Sequence, residues 1–273
     1  MRRVIAFVLV LLLCMSFVAC TNQETTEQSS TSKVEVDLTG KTIIWNGDSI
    51  CAGRTGTSNW ADRIAEKNKM EYKNYAIGGG TIAEDLPPMK SGNKRHSVSA
   101  TLDKMYQEYP NADYVIIEGG TNDADLLGNA LNGATGTKLG TVDPQDFSGN
   151  YDRTTFCGAL ESVFYRAKQY WGDKKIAYIV AQKMSEDKDI PTFNNRRLYF
   201  DKAVEICKKW DIPYLDLWNG CDLDPFLPEM YDSTKSTSQN LKENTGYYID
   251  GQHLTARGYD VTADIIDAWL KTL

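Results

Sequence analysis

Ser49 is the residue of this 273-residue chain best placed to act as a nucleophile. It stands in Gly47-Asp48-Ser49-Ile50, directly after the apolar run Thr42-Ile43-Ile44-Trp45, so its hydroxyl is offered on a strand-to-helix turn. The free N–H groups and dipole of the following helix add to that position. A serine hydroxyl is a weak nucleophile without a base beside it. The chain has two histidines. His96 lies in the polar, basic stretch Ser91–Ser97, which is expected to be a solvated loop. His253 lies in Asp250-Gly251-Gln252-His253, just before the final helical stretch. With flexible Gly251 between them, one turn brings the Asp250 carboxylate to Nδ1 and leaves Nε2 facing a serine. A helix-capping Asp250 beside an exposed His253 is the alternative. Acyl transfer also needs donors for the negative oxygen of a tetrahedral intermediate. Gly79 and Asn122 follow the second and third strand-like runs, on the same rim as Ser49. Glycine lets a ligand approach its backbone N–H, and the asparagine amide carries two donors. Tight turning at the glycines and an Asx-turn at Asn122 are the alternatives.

A scaffold must hold these residues at one edge. Short apolar runs at Thr42–Trp45, Tyr72–Ala76, Asp113–Glu118, Lys175–Ala181 and Ile212–Leu217 alternate with helical periodicity at 60–69, 98–109, 156–171, 194–210 and from about Thr255 onward. This rhythm predicts an α/β domain with a five-stranded parallel sheet covered on both faces. Ligands bind such sheets beyond the carboxyl ends of the strands. Two polar stretches, Ala124–Arg153 and Asn219–Ile249, are long for connections and are expected to shape the site.

Four blocks in order, GDSI, NYAIGGGT, GTND and DGQH, resemble those of the SGNH (GDSL-type) hydrolase superfamily, across about residues 41–273. The resemblance implies a flavodoxin-like three-layer α/β/α sandwich and ester hydrolysis through an acyl-enzyme, with no cofactor or metal. Carried over by motif, Ser49 is the nucleophile, His253 the acid/base and Asp250 its orienter. The Ser49 and Gly79 backbone N–H groups and the Asn122 side chain form the oxyanion hole. Gln252 and Leu254 depart from the pattern, where an aliphatic or other residue and a proline are usual. The α/β-hydrolase pattern GxSxG fits less well, because Cys51 replaces its second glycine. A metal-dependent phosphatase lacks its second carboxylate at residue 50 and any histidine-rich ligand set.

The two insertions carry polar residues and scattered aromatics: Phe147, Tyr151, Phe226, Tyr231, Tyr247 and Tyr248. Polar loops with aromatic platforms suit sugars better than acyl chains. The expected reaction is removal of short acyl groups, acetyl above all, from carbohydrate. The alternatives are a lipid-type acylhydrolase and a non-catalytic glycan-binding surface lipoprotein on a hydrolase scaffold.

Residues 1–20 form a secretory leader: Arg2 and Arg3, an apolar run from Val4, then Ala19-Cys20. Phe17-Val18-Ala19-Cys20 resembles a bacterial lipobox, which makes Cys20 the expected lipidation site and the cell surface the expected location. Residues 21–36 read as a polar tether and 37–273 as the hydrolase domain. Thirty Lys plus Arg against 37 Asp plus Glu give a net charge of −7. An acidic chain without a dense basic run is a poor partner for nucleic acid, and membrane contact is expected only through the anchor. Cys51, Cys157, Cys207 and Cys221 show no zinc spacing and are expected to be buried thiols, with one disulfide as the alternative.

Overall fold

Strands buried on both faces must be apolar along their length. β1 (Thr42–Asn46), β3 (Tyr114–Glu118) and β4 (Lys175–Val180) meet this condition and fill the centre of the sheet. β2 (Glu71–Asn74), largely exposed, and the three-residue β5 (Tyr214–Asp216) are the edges. The computed structural model describes residues 35–54, 59–86, 88–89, 91–127, 139–172, 174–185 and 192–273. The leader, Cys20 and nearly all of the tether lie outside these residues. All four strand pairings are parallel and the order is β2-β1-β3-β4-β5, with Ile44 in register with Lys73 on one side and Val115 on the other.

β4 ends one residue before the expected Ala181, and the two edge strands also end earlier than their apolar pattern predicts. The Asn74 side chain accepts from the Ala76 N–H at 3.0 Å, an Asx-turn that leads the chain out of β2. Asp216 caps the short helix α7 (Leu217–Gly220) and so closes β5.

The connections explain the two covering layers. From β1 the chain steps outward to β2, then crosses back over β1 to β3. Right-handed crossovers in opposite directions place their helices on opposite faces. α2 (Trp60–Asn68) packs with the C-terminal α9 (Ala256–Leu270), joined by a Trp60 Nε1–Thr262 Oγ1 bond of 2.8 Å. α3 (Val98–Glu108), α5 (Phe156–Trp171) and α6 (Thr192–Lys209) pack together as the other layer. The result is the expected three-layer α/β/α fold. Val36 N–H bonds the Lys271 carbonyl at 2.8 Å, which ties the start of the domain to its end.

The polar stretches carry more structure than the sequence pattern predicts. The first begins inside α4 (Thr121–Leu127), and the second holds α8 (Thr237–Glu243), started by a Ser236/Gln239 capping box. The four cysteines of the domain are buried free thiols.

The strand order reverses direction between β1 and β3. The connections that leave their carboxyl ends run to opposite faces there and open the crevice that such sheets use for ligands. Ser49 follows β1 and Asn122 follows β3.

Candidate active site

Ser49 is the first residue of α1 (Ser49–Ala52), and Asp48 caps that helix by accepting from the Ile50 N–H at 2.8 Å. Beneath the turn, Glu118 at the end of β3 is fully buried and accepts the Asp48 N–H at 3.1 Å. A Cβ on Gly47 would lie 2.6 Å from that carboxyl oxygen, so only glycine fits before Asp48. Burial, reinforced by Asp48, pushes the Glu118 carboxyl well above the usual range, and burial also raises Asp48. On α4, burial lifts Asp123 to about 7, although it accepts the Ile82 and Ala83 N–H groups at 2.8 and 2.9 Å. Burial therefore raises the proton affinity of three carboxyl groups around the nucleophile's turn, Glu118, Asp48 and Asp123.

The structure brings Ser49, His253 and Asp250 together. Ser49 Oγ is 2.8 Å from His253 Nε2, and His253 Nδ1 is 2.9 and 3.1 Å from the two Asp250 oxygens. Asp250 also accepts the backbone N–H groups of Gln252 (3.2 Å) and His253 (2.8 Å). Burial pushes this carboxyl up, but its bond to His253, the histidine's charge and the two N–H donors outweigh burial and hold it at about 2. Asp250 is not a helix cap, because Thr255 caps α9. A further cation joins the group: the Arg54 guanidinium donates to Asp250 Oδ2 and lies 3.5 Å from His253 Nδ1.

The loop bearing the triad is gripped from behind. Ser185 N–H bonds the Gly251 carbonyl (2.8 Å), and Gln182 Nε2 bonds the Gln252 carbonyl (3.0 Å). Arg196, nearly buried on α6, forks onto Asp125 of α4 at 3.0 and 2.9 Å and reaches Gln252 Oε1 at 3.1 Å. A buried guanidinium is costly unless its donors are met. An aliphatic residue at 252 would take one of those acceptors away, which accounts for the polar residue found there. Arg54, Asp125 and Arg196 carry no motif; the departure at Gln252 was the one trace of them in the sequence.

On the opposite side of Ser49 lies the glycine turn. A Cβ on Gly78 would sit 3.7 Å from Ser49 Cβ. Gly79 has φ 75° and makes the turn, and its carbonyl accepts from Arg95 at 2.6 Å. The Asn122 amide does not form an Asx-turn; it reaches across the crevice to the Gly80 carbonyl (2.9 Å) and Asp48 Oδ2 (3.2 Å). His96 is not in a solvated loop. It is half-buried, with Nε2 2.8 Å from Asn46 Oδ1 at the end of β1, and burial lowers its proton affinity.

Most of the aromatics expected as sugar platforms pack elsewhere. Phe147 and Tyr151 stand against Trp210 and over the Lys209 ammonium, which is buried in an ion pair with Glu161. Tyr248 is buried and donates to the Lys183 carbonyl, and Tyr247 lies under Arg257. A charge that must be buried attracts aromatic faces, and the polarity of these stretches conceals that. Tyr231 lies against the catalytic loop, 3.0 Å from where a Gly251 Cβ would be.

Comparison with known proteins agrees with this fold. The model of the GDSL-like lipase/acylhydrolase family matches residues 46–261. No curated protein matches the chain. Among solved structures, a protein from Lactobacillus plantarum is 20% identical with a TM-score of 0.61, over 85% of this chain and 97% of that one. An aryl esterase from M. smegmatis is 13% identical with a TM-score of 0.56, over 86% and 100%. A carbohydrate acetylesterase from Sinorhizobium meliloti is 12% identical with a TM-score of 0.55, over 84% and 98%.

Proposed function

Because the chain belongs to the GDSL-like lipase/acylhydrolase family and is a serine ester hydrolase, we propose that it removes short acyl groups, acetyl in the first place, from carbohydrate. The observation that carries the chemistry is the unbroken chain of contacts from Ser49 through His253 to Asp250. Ser49 Oγ attacks the ester carbonyl while His253 Nε2 takes its proton. Asp250 holds the ring by Nδ1 and balances the imidazolium that forms. The Ser49 and Gly79 N–H groups and the Asn122 amide receive the oxyanion. His253 then protonates the leaving alcohol, and water repeats the cycle on the acyl-enzyme.

The short acyl group is supported by what surrounds the triad. Arg54 and Gln252 are polar, and the glycine turn closes on Ser49 from the other side. That border suits a hydroxylated alcohol and a small acyl group better than a long chain. A solved structure of similar fold is named a carbohydrate acetylesterase. The expected result is a kcat/KM on p-nitrophenyl acetate at least tenfold above that on the octanoate, with acetate released from an acetylated polysaccharide. Preference for octanoate would reverse the reading in favour of a lipid-type substrate. The leader and Cys20 add that the enzyme works at the cell surface as a lipoprotein; the mass of the mature N-terminal peptide tests this.

A further inference from the structure

Glu118 is a fully buried acid that the ester chemistry leaves without a task. It ends β3, just ahead of Asn122, and its side chain reaches the turn after β1. There Oε2 accepts the Asp48 N–H at 3.1 Å, and the Cys51 N–H faces the same carboxyl. Oε1 meets no donor among the described residues, while the Asp48 carboxyl lies within hydrogen-bond reach of Glu118. Two buried carboxyl groups in contact do not both ionise. A proton on Glu118, donated to Asp48, satisfies the pair. Burial, reinforced by the Asp48 charge, pushes the Glu118 carboxyl well above the usual range, so the proton belongs there.

Asp48 in turn faces the reaction. Its Oδ1 accepts the Ile50 N–H at 2.8 Å and its Oδ2 the Asn122 amide at 3.2 Å. The Gly80 carbonyl accepts from the same amide nitrogen at 2.9 Å. These two acceptors set where the amide donors point, and a misplacement of about 1 Å can cost about 100-fold in rate. We propose that Glu118 is a positioning residue of the oxyanion hole: it grips the Asp48 turn by backbone and side chain, and through the Asp48 carboxylate it aims the Asn122 amide. A carboxylate held only by the Ile50 N–H could follow the amide nitrogen and pull it out of line. The grip from Glu118 prevents that. Glu118 itself touches no substrate and acts through two successive hydrogen bonds.

The inference rests on the serine-hydrolase reading of the site, whatever the alcohol of the ester. The test is kcat and KM for p-nitrophenyl acetate in Glu118→Met, Glu118→Gln and Glu118→Asp, each alone and combined with Asn122→Ala. Methionine fills a similar volume without the polar atoms, and kcat is expected to fall about tenfold or more with KM within about twofold. Glutamine keeps a donor and an acceptor at the same reach, and should recover kcat to within about threefold of wild type. Aspartate keeps the acid but withdraws it by one methylene; its loss should lie between the other two, and it decides the matter if Glu118→Met fails to fold. Beside Asn122→Ala each of these losses should shrink to less than about twofold, because the amide to be aimed is gone. Losses that persist in full in that background would make Glu118 a support of the fold alone and overturn the proposal. So would wild-type kcat in Glu118→Met, or a Glu118→Gln as slow as Glu118→Met. Labelling of Ser49 by a fluorophosphonate separates the two levels of failure: labelled wild type with uncoupled losses defeats only the role of Glu118, whereas unlabelled wild type defeats the triad itself.

Discussion

Ser49→Ala is expected to lower kcat for p-nitrophenyl acetate by about 10⁵- to 10⁶-fold, with the thermal midpoint unchanged within a few degrees. The reaction loses the atom that forms the acyl-enzyme, whereas the fold loses one hydroxyl at the mouth of a crevice. His253→Ala should cost about the same, and the double variant no more than either single one, because base and nucleophile act as one unit. That equality is the sharper part of the prediction. Independent roles would make the losses multiply, so a double variant a further 100-fold slower would contradict the 2.8 Å partnership between Oγ and Nε2. Retention of a tenth of the wild-type rate in Ser49→Ala would remove Ser49 from the chemistry. Steady-state rates with active-site titration of the parent enzyme are sufficient to decide.

Asn122→Ala is expected to lower kcat by about 10²- to 10³-fold with little change in KM, the loss of about 3–4 kcal/mol of transition-state stabilisation. The amide already has two acceptors in the resting site, Gly80 O at 2.9 Å and Asp48 Oδ2 at 3.2 Å. The longer bond to Asp48 is the one to be surrendered or shared as the carbonyl oxygen gains charge. A donor already aimed by such partners needs little reorganisation when the oxyanion appears, which is where the rate advantage arises. Since the ground-state carbonyl gains little from the same donor, the effect belongs in kcat. Asn122→Asp should be at least as slow as Asn122→Ala, because it places an acceptor and a negative charge at the same point. A loss under threefold in the alanine variant would exclude Asn122 from the oxyanion hole.

The residues that touch the reacting atoms were legible in the sequence because their positions are constrained locally. Ser49 must follow a strand, Asn122 must follow another, and Asp250 must lie within one turn of His253. Apolar runs located the strands for the same reason: burial on both faces leaves a continuous signature, and the edge strand β2, with its polar and exposed residues, is where the boundary slipped. What escaped was everything defined by distance along the chain. Arg196 meets Asp125 and Gln252 across 71 and 56 residues, and no spacing announces such a meeting. Arg54 likewise finds Asp250 across 196 residues. The aromatics misled for a related reason. Phe147 and Tyr151 sit in a polar stretch, but their partner Lys209 belongs to a distant helix and is buried against Glu161. His96, in a basic stretch, was drawn inward by Asn46.

The acids packed under the nucleophile also bear on how the protein tolerates alkali. Asp123, held at about 7 by burial, begins to ionise near pH 4 once the chain unfolds. Between those values the native protein carries a proton that the denatured chain has shed. Folding therefore takes up protons, and stability drains away as the medium is made less acidic from about pH 4 towards pH 7. Asp250, held at about 2, works in the reverse sense and weakens the fold only in strong acid. Calorimetric melting should accordingly show a lower midpoint at pH 8 than at pH 5, with the difference reduced in Asp123→Asn; an equal or higher midpoint at pH 8 would contradict it. A hydrolase built this way would be sturdiest in the mildly sour conditions that its own released acid creates.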